Sequence, residues 1–339
     1  MDKIAFVLGG SGQVGEAVIP ALLRDGWHVR AGSRSQHSWP DGVEGVLVDR
    51  QIDESFSAAL GAGVDLLVDC VAYTHDNAHQ LGRAADRIGS AVVLSSVSVY
   101  CDSRGRTLDE ATGADDFPVL PIPIAEGQSR TAPGDTTYST RKVAMEDVLL
   151  ADDMRIPVTV LRPGAIYGPA SVHPRELWFI KRALDRRPVQ ILNWGGQSRF
   201  HRSNSRTIAE LVRLAARSPG RRVLNAVDDD ALTTSEIAHI TNAFLDHHPT
   251  EFLIPGASAL GDTPWSVPEP IVADMSEAVA QLGYRQVATY ADSLPAMVKR
   301  IVDTIGARDW STAYPAFLRA NGPDAFDYAA EDAWVRAAL

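Results

Sequence analysis

The sequence predicts an α/β fold: a doubly wound, mostly parallel sheet followed by a smaller C-terminal lobe. Short β-branched apolar runs alternate with helical segments through residue 168, which is the pattern of βαβ units. A glycine-rich turn follows the first of those runs directly, at Gly9 to Gly15. Past Pro169 the alternation changes, and proline and glycine break the chain around residues 255 to 270.

Taken in order, the strand candidates are Ile4 to Leu8, His28 to Ala31, Gly45 to Val48, Asp65 to Val71, Ala91 to Ser95 and Pro157 to Leu161. The first helix carries Val14, Val18, Ile19, Leu22 and Leu23 on one stripe and stops at Gly26. Residues 117 to 134 are crowded with proline and glycine, so a loop interrupts the alternation there. The expected division is a Rossmann-type domain over residues 1–169, with a return to the sheet near 204–230, and a second lobe over 170–339. That lobe is expected to hold a helix near Glu176 to Arg186, another from Thr234, and a tail from 308 that is rich in aromatics and alanine without a readable motif.

The chain has 339 residues, 45% apolar and 22% charged, which allows a sizeable core. A net charge of −11 opposes long-range attraction to nucleic acid or to an anionic membrane surface. The two cysteines, Cys70 and Cys101, have no metal-ligand spacing, and His75 and His79 lack a third ligand pattern, so no metal is expected. No stretch reaches the roughly 18 apolar residues of a membrane span. The apolar run at Met1 to Leu8 is too short for a signal sequence, and a cytoplasmic location is expected.

Gly9-Gly10-Ser11-Gly12-Gln13-Val14-Gly15 joins a predicted strand to a predicted helix. Glycines at 9, 12 and 15 permit a tight turn, close approach of the backbone to a pyrophosphate and close helix packing, with helix N–H groups facing the anion. The second strand ends Arg30-Ala31-Gly32-Ser33-Arg34, with no acid before Asp41. An acid there would take the ribose hydroxyls of NAD(H), whereas Arg34, with Ser33 beside it, suits the 2′-phosphate of NADP(H). NADP(H) is therefore favoured, with NAD(H) as the alternative. Asp49, in Val48-Asp49-Arg50, stands where the chain reaches an adenine or simply turns.

Tyr138-Ser139-Thr140-Arg141-Lys142 opens a helix and, at a spacing of four, places a phenol and an ammonium on one face. A nearby cation favours phenolate, so Lys142 is expected to lower the Tyr138 pKa and make a proton donor and acceptor for carbonyl chemistry. Ser95, Ser96 and Ser98 deliver hydroxyls at the C-terminal end of the fifth strand, where open α/β sheets bind ligands.

These residues together resemble the extended short-chain dehydrogenase/reductase group, the NAD-dependent epimerase/dehydratase family, over roughly residues 3 to 305. The shared pattern comprises the glycine turn, Val48-Asp49, Val71-Ala72, the Ser-Ser-x-x-Val-Tyr segment ending at Tyr100, and Tyr138 with Lys142. It continues through Leu161-Arg162-Pro163-Gly164-Ala165-Ile166-Tyr167-Gly168-Pro169. The resemblance implies that Ser96 orients the substrate oxygen, Tyr138 is the acid/base, and Lys142 also holds the nicotinamide ribose. It further implies that Ser95, Val71, Ala72, Pro163, Gly164 and Ile166 touch cofactor, and that homodimers form through the helix bearing Tyr138.

Two departures narrow the chemistry. Family dehydratases carry Asp-Glu after the catalytic hydroxyl, where this chain has Val97-Ser98. Sugar-nucleotide enzymes of the family clamp a diphosphate with two basic residues; Arg199 matches the first, while residues 223 to 284 contain no Lys or Arg. The leading reading is an NADP(H)-dependent oxidoreductase interconverting a ketone and a secondary alcohol on a small, non-nucleotide substrate. The alternatives are a sugar or sugar-nucleotide epimerase that retains its cofactor, and a non-catalytic NAD(P)-sensing module.

Overall fold

The computed structural model describes residues 3–338. β1 (Ile4–Leu8) buries four of its five apolar residues and hands directly to the glycine turn. α1 (Gln13–Arg24) buries Val14, Val18, Ile19 and Leu22 along one stripe. The alternation continues through β2 (His28–Ser33), β3 (Val43–Leu47), α2 (Asp53–Leu60), β4 (Val64–Asp69), α3 (His75–Arg83) and β5 (Ile88–Leu94). Beyond the proline-rich stretch come α4 (Tyr138–Leu150), β6 (Val158–Pro163), β7 (Ala165–Tyr167), α5 (Leu177–Leu184) and β8 (Val189–Leu192). The chain then runs through β9 (Arg202–Asn204), α6 (Ser205–Arg217), β10 (Arg222–Ala226), α7 (Thr234–Phe244), β11 (Thr250–Leu253), α8 (Ser276–Leu282) and α9 (Tyr290–Ile305). The tail forms α10 (Trp310–Ala313), α11 (Pro315–Asn321) and α12 (Tyr328–Ala338).

Two compact units result. The first comprises the chain up to Ile166, Arg202–Asp229 and Ala273–Val287. Its sheet is parallel throughout, in the order β10-β6-β5-β4-β1-β2-β3. The chain winds outward from β1 in both directions, so the crevice at the C-terminal ends of β1 and β4 is the switch point where such sheets bind ligands. Val18, Leu22, Leu211 and Val212 of α1 and α6 cover one face. Leu81, Met145 and Leu149 of α3 and α4 cover the other. β4 stops at Asp69 rather than at Val71, because Asp69 Oδ1 takes the Val71 N–H at 3.0 Å and turns the chain out of the ladder. The segment 273–287, which carries α8, also belongs to this unit and has no counterpart in the sequence-based division.

The second unit comprises Tyr167–His201, Asp230–Val272 and Ala288–Leu339. β8 and β11 pair in parallel, and α5 buries Leu177, Trp178, Phe179 and Ile180. The tail is anchored to α5 by Arg182, which lies 3.4 Å over the Trp178 ring and donates to Glu331 at 2.6 Å. Phe317, Phe326 and Trp310 pack around that ion pair, and Lys181 and Arg182 lie over the Phe326 ring. Among the described residues no helix is long and apolar enough to cross a membrane, and no three His, Cys, Asp or Glu side chains are grouped to hold a metal ion.

Candidate active site

The glycine turn is built by exclusion. Gly9 has φ of 78°, a left-handed conformation open to glycine, and a Cβ there would lie 2.8 Å from Val71 Cγ1. A Cβ on Gly15 would meet the Gly10 backbone at 2.5 Å, so the helix could not approach the turn as closely. The N–H groups of the first turn of α1 have no acceptor within the helix and face outward beyond Gly12. A cleft of about 340 Å³ opens beside them, walled by Gly9, Ser11, Gly12, Gly32, Ser33, Arg34, Val48, Asp49, Arg50, Gln51, Val71 and Tyr73. Val14 instead faces the core, and Gln13 and Gly15 are not among the residues that line the cleft.

Two arginines border this cleft, and they differ. Arg50 is buried and already spent: it donates through Nη1 to the buried Asp69 and through Nη2 to Asn77 O at 2.9 Å. Arg34 is exposed and makes no hydrogen bond or ion pair among the described residues. Ser33, beside it, donates its hydroxyl to Ser35 O at 2.6 Å, so its proton is directed along the loop and only its oxygen lone pair faces outward. Asp49 Oδ1 accepts the Gln51 N–H at 3.0 Å, a strand-end turn, while the residue also walls the cleft.

Tyr138 is the first residue of α4. Thr137 caps that end, exchanging hydrogen bonds with Thr140 at 3.0 and 3.2 Å, and Asp109 accepts the Ser139 N–H at 2.6 Å. One turn on, Lys142 is buried, and its ammonium donates to Ala72 O at 2.6 Å and Leu94 O at 2.8 Å. The same Nζ lies 5.5 Å from the Tyr138 ring centre and 4.7 Å from that of Tyr73. Ser96 Oγ accepts the Ser98 N–H at 3.1 Å, leaving its own proton to donate, and it sits against the Tyr138 phenol.

Electrostatics correct one expectation. Burial pushes the Tyr138 phenol upward, Tyr73 adds to that, and the Ser96 hydroxyl opposes it; Lys142 is not among the causes. Burial outweighs the neighbouring ammonium, which is engaged by the Ala72 and Leu94 carbonyls, so the phenol rises rather than falls. Burial also lowers Lys142 itself to about 8, against the upward pull of Asp69 and then Glu146. The phenol is thus a neutral proton donor across the neutral range.

A profile of the NAD dependent epimerase/dehydratase family matches residues 5–226. The chain belongs to this family. The 2′-dehydrokanamycin reductase of Streptomyces kanamyceticus is 29% identical over 167 residues, which span 48% of this chain and 42% of the relative's length. Among solved structures, the UDP-N-acetylglucosamine 4-epimerase of Bacillus cereus superposes with a TM-score of 0.67 at 19% identity, covering 88% of this chain and 99% of that one. An epimerase of Methanothermobacter thermautotrophicus gives 0.69 at 17% identity, covering 93% and 95%. MoeE5, solved with UDP-glucose and NAD, gives 0.62 at 18% identity, covering 90% and 100%. At these identities the structures show the fold.

Within this family member, several residues around the Tyr138 group were not legible in the sequence. Glu146 stands one further turn along α4, fully buried, and accepts from Arg162 Nε at 2.9 Å and Nη2 at 2.6 Å. Arg130 adds a third bond at 2.9 Å. Arg162 Nη1 donates to the Tyr100 hydroxyl at 3.1 Å, which in turn donates to Asn225 Oδ1 at 2.6 Å. Ser95 is buried, and its Oγ has no hydrogen-bond partner among the described residues. Pro163, Gly164 and Ile166 lie at the end of β6 and just beyond it, with Gly164 N–H held by Ser203 Oγ at 2.8 Å.

Proposed function

We propose that the chain is an NADP(H)-dependent oxidoreductase that interconverts a ketone and a secondary alcohol on a small, non-nucleotide substrate, with Tyr138 as acid/base. What carries the reading is one juxtaposition: a neutral phenol at a helix N-terminus, a serine hydroxyl with its proton free to donate, and a buried ammonium one turn below. The glycine cradle and its outward N–H groups fit a pyrophosphate, because a Cβ at Gly9 or Gly15 would fill the space the backbone needs. A bound nicotinamide supplies the redox partner. Ser96 orients the substrate oxygen by donating to it, Tyr138 transfers the proton to or from that oxygen, and Lys142 fixes the floor of the site through the carbonyls of Ala72 and Leu94.

Arg34 supports the NADP(H) preference, since it is the arginine on the cleft wall whose guanidinium is uncommitted. Val97-Ser98 in place of two acids disfavours elimination, and the cation-free stretch 223 to 284 disfavours a diphosphate clamp. The match to a reductase is in keeping with both. By the family resemblance we also propose a homodimer through α4, read by light scattering. The test of function is stoichiometry: with a panel of small ketones, NADPH should be consumed one for one with alcohol formed. Turnover of a sugar without net NADPH loss would establish the epimerase reading instead.

A further inference from the structure

Asp69, the last residue of β4, and Arg50, on the cleft wall, form an ion pair within the first unit, with both side chains buried. The carboxylate has two tasks. Its Oδ2 accepts from Arg50 Nη1, while its Oδ1 takes the Val71 N–H at 3.0 Å and so fixes the bend that runs from Asp69 to Ala72. The Ala72 carbonyl at the end of that bend accepts the Lys142 ammonium at 2.6 Å. Arg50 is itself held in place: Nη2 donates to Asn77 O at 2.9 Å, its carbonyl accepts Gln80 Nε2 at 3.2 Å, and its guanidinium lies 5.7 Å from the Phe56 ring centre.

We propose that this pair positions Lys142 for the reaction: Asp69 fixes the bend whose Ala72 carbonyl seats the ammonium and supplies the negative charge that balances it, to a degree set by Arg50. The inference rests on the oxidoreductase reading only in making Lys142 part of a reaction. A buried ammonium needs an opposing charge as well as hydrogen-bond acceptors, and few neighbours can supply one. Glu146, one turn further along α4, is already bonded by Arg162 and Arg130. Burial raises Cys70, Tyr73 and Tyr138, so the thiol and both phenols bring no charge where Lys142 titrates. Burial is also what lowers Lys142; of the charges that oppose it Asp69 acts most strongly and Glu146 next, while Arg50 adds to the lowering.

The two members of the pair therefore act on Lys142 with opposite signs, which a merely structural role would not produce. Loss of packing at either residue lets water reach the ammonium and moves its titration upward in both cases. Loss of the Asp69 charge instead strands Arg50 as a second cation and moves the titration down. Loss of the Arg50 charge leaves Asp69 unopposed and moves it up.

The chain has four lysines, Lys3, Lys142, Lys181 and Lys299, so in an NMR titration of the full chain with 13C-labelled lysine the Lys142 signal is assigned by its absence from Lys142→Met. Asp69→Asn should lower the Lys142 midpoint by about one pH unit and Arg50→Gln should raise it by a similar amount, as a single neighbouring charge does. Each single variant strands a buried charge and can fail to fold. The double variant strands none, and its midpoint should lie between those of wild type and Asp69→Asn, because the pull of Asp69 exceeds the push of Arg50. A double-variant midpoint at or above that of wild type, or single variants that move the midpoint in the same direction, overturns the proposal.

A kinetic arm separates this inference from the reading beneath it. With a panel of small ketones, the fall of kcat/KM for NADPH above about pH 8 should begin at lower pH in Asp69→Asn and at higher pH in Arg50→Gln. NADPH consumption with Lys142 midpoints that do not separate overturns the role of the pair while the oxidoreductase reading stands. Midpoints that move as stated, with no NADPH consumed on any ketone, leave the hold of the pair on Lys142 standing and remove the oxidoreductase.

Discussion

Glu146 on α4 and Arg162 on β6 form a two-pronged ion pair, 2.9 and 2.6 Å long, with both side chains shut away from solvent. Burial alone would drive the Glu146 carboxyl upward, yet Arg162 and Arg130 hold it below its ordinary range. Tyr138, Lys142 and Glu146 are spaced four apart, so the pair pins the third turn of the helix whose first turn presents the phenol. Removing one partner strands a buried charge, which costs about 3–5 kcal/mol. Glu146→Ala and Arg162→Ala should each lower the urea unfolding free energy by that order, and the double variant should lose much less than the sum. Single variants within about 1 kcal/mol of wild type would show that the pair does not anchor α4.

Lys142 links stability and activity with opposite signs. Its pKa in the folded chain is about 8, below the ordinary lysine value of 10.5, because burial disfavours the ammonium. The folded chain thus binds fewer protons than the unfolded chain between those two values, and this residue's contribution to stability rises with pH across that window. The penalty for burying the ammonium is full below about pH 8 and amounts to about 3 kcal/mol from the size of the shift. Lys142→Met should therefore be more stable than wild type at pH 7, and the gap should close by about pH 10. The kcat/KM for NADPH should do the reverse in wild type, falling as the ammonium is lost above about pH 8. A flat wild-type profile between pH 7 and 9.5 would mean that the charge on Lys142 does not matter to the reaction.

How far these features can be read in the sequence depends on how local they are. The glycine turn and the Tyr138–Lys142 spacing lie within single elements, where side-chain period and backbone sterics act over a few residues, and each falls on the predicted strand-turn-helix or helix. Six of the seven strands of the sheet lie within a few residues of the apolar runs that suggest them, and the seventh, β10, falls inside the stretch 204–230. Pairs joined only by the fold stay hidden: Arg50 with Asp69, Glu146 with Arg162, and Arg182 with Glu331, 149 positions away. Arg50 directly follows Asp49, but nothing local tells that its guanidinium turns inward while that of Arg34 does not. The Tyr138 pKa is missed for a related reason: spacing gives the proximity of Lys142, whereas the burial that raises the phenol is set by the fold.

Tyr138→Phe removes the transferable proton and little packing. It should reduce kcat by at least a hundredfold, since general acid–base catalysis contributes roughly 10²–10⁴-fold, and leave the NADPH dissociation constant within about threefold of wild type. Ser96→Ala should raise KM and lower kcat together by about tenfold, because its hydroxyl orients the reacting oxygen through one hydrogen bond of roughly 1.5 kcal/mol. Stopped-flow reduction with a saturating ketone separates these effects. A Tyr138→Phe enzyme that keeps more than a few per cent of kcat contradicts the assigned acid/base.

Arg34 decides the cofactor. It is exposed on the cleft wall with no partner of its own among the described residues, whereas Arg50 opposite is consumed by Asp69. A charge-assisted contact is worth roughly 1.5–3 kcal/mol, which corresponds to about ten- to a hundredfold in affinity. Arg34→Asp would remove that contact, repel a 2′-phosphate and offer the ribose hydroxyls of NADH an acceptor, so the preference should invert. Because the site is open to solvent, the wild-type preference should also shrink as salt is raised from 50 to 500 mM, as screening weakens the guanidinium–phosphate attraction. Dissociation constants for NADPH and NADH, measured by fluorescence titration on wild type and Arg34→Asp at both salt concentrations, check all of this. Equal affinity of wild type for the two cofactors, or a ratio unmoved by the substitution, would make Arg34 an ordinary surface residue and return the choice to NAD(H).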